Sequence, residues 1–428
     1  MLVNDLYKAE MVRNRRHIHK RPEEGWTEFE TTAYIVNALR QYSCEVLVGK
    51  AVINPDFVMG RDPKLVEEAI ERARNRGVDA ALLEEMGGFT GCVAIFRTGR
   101  PGPVTALRFD IDCVCVQETD DPAHEANAGG YASERPGLMH ACGHDGHTAV
   151  GLGIAHWVND HLDELKGTIK LIFQPAEEGT RGASPLAESG IVDDVDNFVS
   201  SHIGTNCRLG EIGICFRGFL ATTKIDIHFE GTPAHAGSNP EKGRSALLAA
   251  CSSATMLAGI PRSSEGDTRI SIGRLVAGSG RNVVPAHAVM QIETRGSTEA
   301  VNNYMVEYAK RIVEGNAHSY DVKVTFEKVG EATTLVADEK LTEDLTDIAK
   351  RIPFIHSVDR YDDVKGSEDC TMIGRKVRSH GGRMGFFMFG CNQNGHHRGD
   401  FSIQDEESLP EGFEMFAQFL MKENGREA

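Results

Sequence analysis

GTIKLIFQPAEEG, residues 167–179, sets the frame for the rest of the chain. Ile169, Leu171, Ile172 and Phe173 form a short apolar run bounded by Gly167 and Pro175. A run of that length and composition reads as a strand covered on both faces, the kind found where helices flank a parallel sheet. GCVAIFRTG (91–99), VTALRFDID (104–112) and FFMFGC (386–391) read the same way. Between them lie helical periodicities: EFETTAYIVNALRQYSC (28–44), KLVEEAIERARNR (64–76) with Gly77 as its stop, and a closing helix over about 411–422. Strands alternating with helices predict an α/β domain with a mostly parallel central sheet.

From Phe219 the texture changes. ATTKIDIHFEG (221–231) alternates like a half-exposed strand, GRSALLAACSSATML (243–257) is helical, and TRISIGRLV (268–276) and AVMQIETRG (288–296) are strands. VNNYMVEYAKRIVEGNA (301–317) is helical and YDVKVTFEK (320–328) a strand. The order β-α-β-β-α-β is that of a ferredoxin-like α+β unit. We therefore expect one α/β domain over 1–218 and 332–428, interrupted by an inserted domain over 219–331.

The 428 residues carry 63 acidic and 46 basic side chains, a formal net charge of −17. Such a surface repels nucleic acid and anionic membranes, so neither is expected as a partner. No apolar segment approaches the 18 residues needed to span a bilayer, and the first 26 residues lack the apolar core of a secretory signal. Together with ten cysteines too sparse for a disulfide framework, this points to the cytoplasm.

MHACGHDGHT (139–148) packs His140, Cys142, His144, Asp145 and His147 into eight positions. A thiolate and an imidazole one residue apart can face one ion from a loop, and both are preferred zinc donors. Glu177 and Glu178 follow the strand at 168–174, where open α/β sheets place their chemistry; one can hold an ion while the other takes a proton from attacking water. His202 ends another short strand. Asp110 and Asp112 end a fourth and point the same way on a regular strand, so one can orient a ligand histidine. Taken alone, each histidine reads equally well as a satisfied polar residue and the carboxylate pair as a solvated turn; their convergence on strand ends favours metal-assisted hydrolysis. No GxSxG elbow, GxxxxGK[ST] loop or HExxH helix is present, and Cys142 and His144 lie too close in sequence for the usual thiol nucleophile and base.

These motifs resemble the M20 metallopeptidase superfamily, in its amidohydrolase branch, which includes auxin-conjugate hydrolases, hippurate hydrolases and the aminobenzoyl-glutamate utilisation protein A group. The likeness runs through RRHIHKRPEEGWTEFETT (15–32), LRFDIDCVCVQE (107–118), MHACGHDGHTA (139–149), FQPAEEGTRGA (173–183), SHIG (201–204), GTPAHAG (231–237), GRNVVPAHA (280–288) and NGHHRGDFSIQDE (394–406). The resemblance implies two divalent ions, Mn²⁺ or Zn²⁺, held by Cys142 as bridging thiolate with His144, Glu178, His202 and His397, His396 being the alternative for the last. It implies Glu177 as general base, Asp112 beside the metals as a further catalytic residue, and an inserted domain acting as a lid and homodimer contact. His235 would reach over the neighbouring subunit's site to steady the oxyanion, and Asn282 and Arg295 would contact substrate.

The expected activity is a metal-dependent amidohydrolase on N-acyl amino acids, an aromatic acyl group joined to Glu or Asp. Indole-3-acetyl-aspartate hydrolysis, a dipeptidase or aminopeptidase activity, and a non-catalytic scaffold are the alternatives. Arg375, Lys376, Arg378 and Arg383 are candidates for binding an acidic leaving group. One departure stands out: where the branch reads DxDALPxxE, this chain reads DIDCVCVQE (110–118), which alters the turn after the strand and keeps both aspartates.

Overall fold

The computed structural model describes residues 1–364 and 366–426. It divides into two compact units, one of Met1–Gly218, Leu335–Val364 and Asp369–Ala428, the other of Phe219–Thr334 and Lys365–Glu368.

The strands are β1 (Glu45–Val48), β2 (Cys92–Arg97), β3 (Val104–Asp110), β4 (Thr168–Gln174), β5 (Asn197–Ile203), β6 (Glu211–Cys215), β7 (Arg217–Gly218), β8 (Ala221–Glu230), β9 (Thr268–Ala277), β10 (His287–Gly296), β11 (Lys323–Ala332), β12 (Leu335–Val336), β13 (Ser357–Tyr361) and β14 (Arg383–Phe389). The larger unit is built on an eight-stranded sheet ordered β1-β2-β4-β3-β5-β14-β6-β13. Its centre is parallel: β3 pairs with β4 and β5, and β5 with β14, all running one way. The antiparallel pairings are β1 with β2, β2 with β4 and β14 with β6. Residues 169–174 of β4 are buried throughout, as the unbroken apolar run predicts.

Helix His144–Asp160 packs along this sheet with a glycine-rich face. A Cβ at Gly151 would meet the Phe109 and Phe173 rings at 2.7–2.8 Å, so glycine is what lets the helix lie this close to β3 and β4. The helix begins after Gly143, whose φ of +88° and 2.3 Å Cβ approach to Ile203 exclude other residues. Helix Asp5–His19 starts on Asn4, whose side chain accepts the Tyr7 amide. The closing helix starts earlier than its apolar period suggests, at Asp405, and runs to Asn424 with Pro410 in its second turn. Pro410 belongs to the first turns, where a missing N–H costs least.

The smaller unit is a four-stranded antiparallel sheet ordered β11-β8-β10-β9. Helices Ala246–Leu257 and Glu299–Ser319 cover it, burying Ile225, Ile227, Phe229, Met290, Ile292, Met305 and Val313. This is the ferredoxin-like arrangement read from the alternation. Among the described residues no helix is long and apolar enough to cross a membrane.

Candidate metal centre

β3, β4, β5 and β14 all end at one edge of the larger sheet, and the motifs converge there. Asp110 and Asp112 come from β3, Glu177 and Glu178 from the turn after β4, and His202 from the end of β5. His396 and His397 come from the loop after β14, and Cys142 and His144 from the start of a helix. The turn that presents Glu177 is tight: Ala176 has φ +51°, and its amide is held by buried Glu28. The His397 amide donates to Ala141 O at 2.8 Å, clamping the late loop onto the 140–144 loop.

Donor atoms group as Cys142–His144–His202, Cys142–Glu178–His397 and His144–Glu177–Glu178, each set within 4.8 Å. Sharing of Cys142, His144 and Glu178 between sets is what a pair of cations needs. The five histidines of this edge then separate by the partners of their ring nitrogens. His144 turns Nδ1 to Asp112, 3.0 Å from its carbonyl and 3.2 Å from Oδ1. Its buried Nε2 makes no hydrogen bond, with Asp110 Oδ2 at 3.7 Å and Glu177 Oε2 at 4.0 Å. His202 donates Nδ1–H to Ile203 O at 2.8 Å and leaves Nε2 3.5 Å from Cys142 Sγ. His397 Nε2 lies 3.2 Å from Glu178 Oε1. His147 is spent at both ends, with Nδ1 on Asp110 and Nε2 accepting the Ile203 amide. His396 Nε2 is spent on Ile203 O at 3.1 Å. The geometry thus brings His144, His202 and His397 to the donor cluster and turns His147 and His396 to its support.

The electrostatics ask for a positive charge. Burial, then the Glu178 carboxylate, pushes the Cys142 thiol well above the usual thiol range. Burial opposes charge on His144, yet Asp110 and Cys142 outweigh it and raise His144 well above an ordinary imidazole. In the metal-free protein a proton on His144 therefore stands where a cation fits. An orphaned buried nitrogen, a thiol and carboxylates within one cluster fit a binuclear divalent centre.

Around the donors lies a buried frame that the motifs only partly disclosed. Asp112 Oδ2 accepts the Glu178 amide at 2.9 Å, so one carboxylate orients two donor residues. Arg108, fully buried, pairs with Asp110 and Asp369, and Asp369 accepts the Gly182 and Ala183 amides. On the other side Asp145 Oδ2 takes Arg15 Nε at 2.8 Å and His19 Nδ1 at 2.7 Å, tying the loop to helix Asp5–His19. His140 faces none of this; burial holds its pKa down to about 3. Arg108, Asp369, Arg15 and Glu28 were not singled out from the sequence. A charged residue inside an otherwise apolar strand, as Arg108 is, was the one available signal.

Two expectations for the acidic leaving group are corrected. Lys376 is tied to Glu188, and Arg383 opens β14 with its guanidinium on Asn197 and Glu423, at the sheet edge opposite the donors. In the smaller unit, Arg295 lies on β10 with its guanidinium on Glu293 at 3.0 and 3.1 Å. Asn282 sits in the loop before β10 and its carbonyl accepts the Ala236 amide. His235 Nδ1 accepts the Gly237 and Ser238 amides at 3.1 Å, which leaves the ring proton on Nε2.

The sequence profile of Peptidase family M20/M25/M40 matches residues 106–422. The chain belongs to this family. Among its M20 relatives, a p-aminobenzoyl-glutamate hydrolase homolog of Haemophilus influenzae is 45% identical over 96% of this chain and 98% of its own. An indole-3-acetyl-aspartic acid hydrolase of Enterobacter agglomerans is 42% identical over 92% of each. The crystal structure of an aminobenzoyl-glutamate utilization protein from Klebsiella pneumoniae superposes with a TM-score of 0.82 at 37% identity, covering 97% of this chain and 95% of the other. With the donor cluster described above, the chain is an M20-type metallohydrolase.

Proposed function

We propose that this M20 chain is a metal-dependent amidohydrolase that cleaves N-acyl amino acids in which an aromatic acyl group is joined to glutamate, as in p-aminobenzoyl-glutamate. The observation that carries the reading is the presentation of His144 Nε2 and His202 Nε2 into a shared thiol and carboxylate cluster at the sheet edge. The substrate class is supported by the names of the relatives at 45% and 42% identity.

Cys142, His144, Glu178, His202 and His397 are the residues to hold two divalent ions, Mn²⁺ or Zn²⁺. Such ions, when bound, acidify a water and polarise a carbonyl. Glu177 takes the water's proton on its carboxylate and delivers it to the leaving nitrogen, which departs as an amine. Asp112 keeps His144 and Glu178 in register throughout. The inserted 219–331 domain serves as lid and dimer contact between the two parts of the catalytic domain, and His235 offers its Nε2–H to the oxyanion in the neighbouring protomer. Asn282 contacts substrate from the lid, as does Arg295 once released from Glu293. Ten free thiols favour a reducing cytoplasm.

An indole-3-acetyl-aspartate hydrolase is the second reading, favoured by the 42% identical relative of that name. The test is release of amino acid from p-aminobenzoyl-glutamate, indole-3-acetyl-aspartate, hippurate and a plain dipeptide, by metal-free protein with Mn²⁺ or Zn²⁺ restored. Metal-dependent turnover of the glutamate conjugate above the others, lost in Glu177→Ala, is the expected result. Preference for the indole conjugate selects the second reading, and no release from any conjugate overturns both.

A further inference from the structure

Beside the donor cluster, in the larger unit, lies a cavity of about 550 Å³ whose wall includes Gly204, Asn206, Arg208, Asn392 and Gln393. That is a volume suited to a small ligand. It opens between the loops that follow β5 and β14, the same sheet edge that carries His202 and His397. Gly204 comes two residues after His202, and Gln393 Nε2 donates to Gly204 O at 2.9 Å while lying 3.5 Å from His396 Nδ1. The cavity wall and the support of the donor cluster are therefore one piece of structure.

Its backbone is pinned while its polar side chains are not. Asn206 O accepts the Tyr361 hydroxyl, and the Asn392 amide and carbonyl both bond to Gln404. The side-chain amides of Asn206 and Asn392 and the Arg208 guanidinium have no hydrogen bond or ion pair among the described residues. The one acid in the wall, Glu211, turns Oε2 back onto the Arg208 amide at 2.9 Å. Other guanidinium groups near this edge are engaged: Arg181 on the Glu178 and Gly60 carbonyls, and Arg398 on Asp400.

We propose that this cavity is the subsite for the carboxylate-bearing amino-acid half of the substrate, with Arg208 as the residue that selects an acidic side chain. The chemistry suits it: a fork of N–H donors pairs bidentately with a carboxylate, two amides complete its shell, and few apolar groups are offered to an aromatic ring. The assignment rests on the amidohydrolase reading above for what the ligand is, and on the cavity alone for where it goes.

Arg208 is exposed, so Arg208→Gln should fold and melt like the wild type. With p-aminobenzoyl-glutamate, Arg208→Gln is expected to raise KM about tenfold or more at a kcat within about twofold, since the contact holds substrate and transition state alike. With p-aminobenzoyl-glutamine the same variant should match the wild type, and Arg208→Lys should recover part of the loss. Unchanged KM for both conjugates overturns the subsite and leaves the amidohydrolase reading intact. Calorimetric binding of L-glutamate and glutarate to Mn²⁺-loaded protein reads the cavity even if no conjugate is turned over. Weaker binding in Arg208→Gln supports the subsite, and equal affinity removes it.

Discussion

Asp112 holds His144 through a carboxylate oxygen 3.2 Å from Nδ1, and its second oxygen accepts the Glu178 amide at 2.9 Å. Two donor residues, one at a helix start and one in a strand-end turn, thus share a single orienting group. Asp112→Ala is expected to weaken Mn²⁺ or Zn²⁺ binding about 10- to 100-fold, as loss of such a partner does elsewhere. Competition with a chelator of known affinity measures it. Unaltered affinity would show that the loop geometry alone orients His144.

Glu177 is placed for proton transfer and not for the ligand set proposed here. Glu177→Gln should retain metal binding and lose about 10²- to 10⁴-fold in kcat. Metal content by elemental analysis alongside steady-state rates separates the two effects. A variant that loses its ions instead would move Glu177 into the ligand set.

Metal binding should release protons. Cys142 and His144 both carry pKa values raised well above the ordinary, so both hold their protons at neutral pH in the metal-free protein. A cation displaces them, so affinity must rise with pH, about tenfold per unit for each proton released. Calorimetry in buffers of different ionisation enthalpy counts the protons. A buffer-independent heat at pH 7 would contradict it.

Stability carries a second pH signature, remote from the metals. Glu411 is buried in the closing helix, and burial pushes its pKa up to about 8 even though it accepts the Gly210 and Gly390 amides. The folded state then holds a proton that the unfolded chain gives up near 4.5, so this residue's contribution falls as pH rises from about 4.5 to 8 and is flat on either side. The melting temperature of the wild type relative to Glu411→Gln should fall between pH 5 and 8. A constant difference would exclude a titrating Glu411.

Arg15 and Asp145 form a fully buried pair, with His19 on the same carboxylate oxygen. Removing one partner strands the other in the core, at a cost of about 3–5 kcal/mol. Arg15→Met should therefore lower the melting temperature by several degrees and loosen the metal loop, read as weaker Mn²⁺ binding. A melting temperature within about 1 °C of wild type would show that water or a neighbour replaces the guanidinium.

The sequence by itself determined the element types, the fold class and the identity of the donor motifs. Buried strands such as 168–174 are written as unbroken apolar runs, the ferredoxin-like unit as period-2 alternation interleaved with helical repeats, and the donors as strand-end Cys, His and Glu. These are local patterns, fixed by the spacing at which a helix or strand returns a side chain to one face. What only the tertiary structure decided was which nitrogen of which histidine is available. His396 and His397 are neighbours in sequence, as are His144 and His147 across one helical turn. Their fates separate because Ile203 O and the Ile203 amide, supplied by a strand more than fifty residues from either motif, occupy His396 Nε2 and His147 Nε2. The same holds for Arg108 and Asp369, which lie 261 residues apart and meet only because β3 and the start of helix Cys370–Ser379 come together in the core. A hydrogen bond saturates a specific atom, and no periodicity in the chain records which atom that will be.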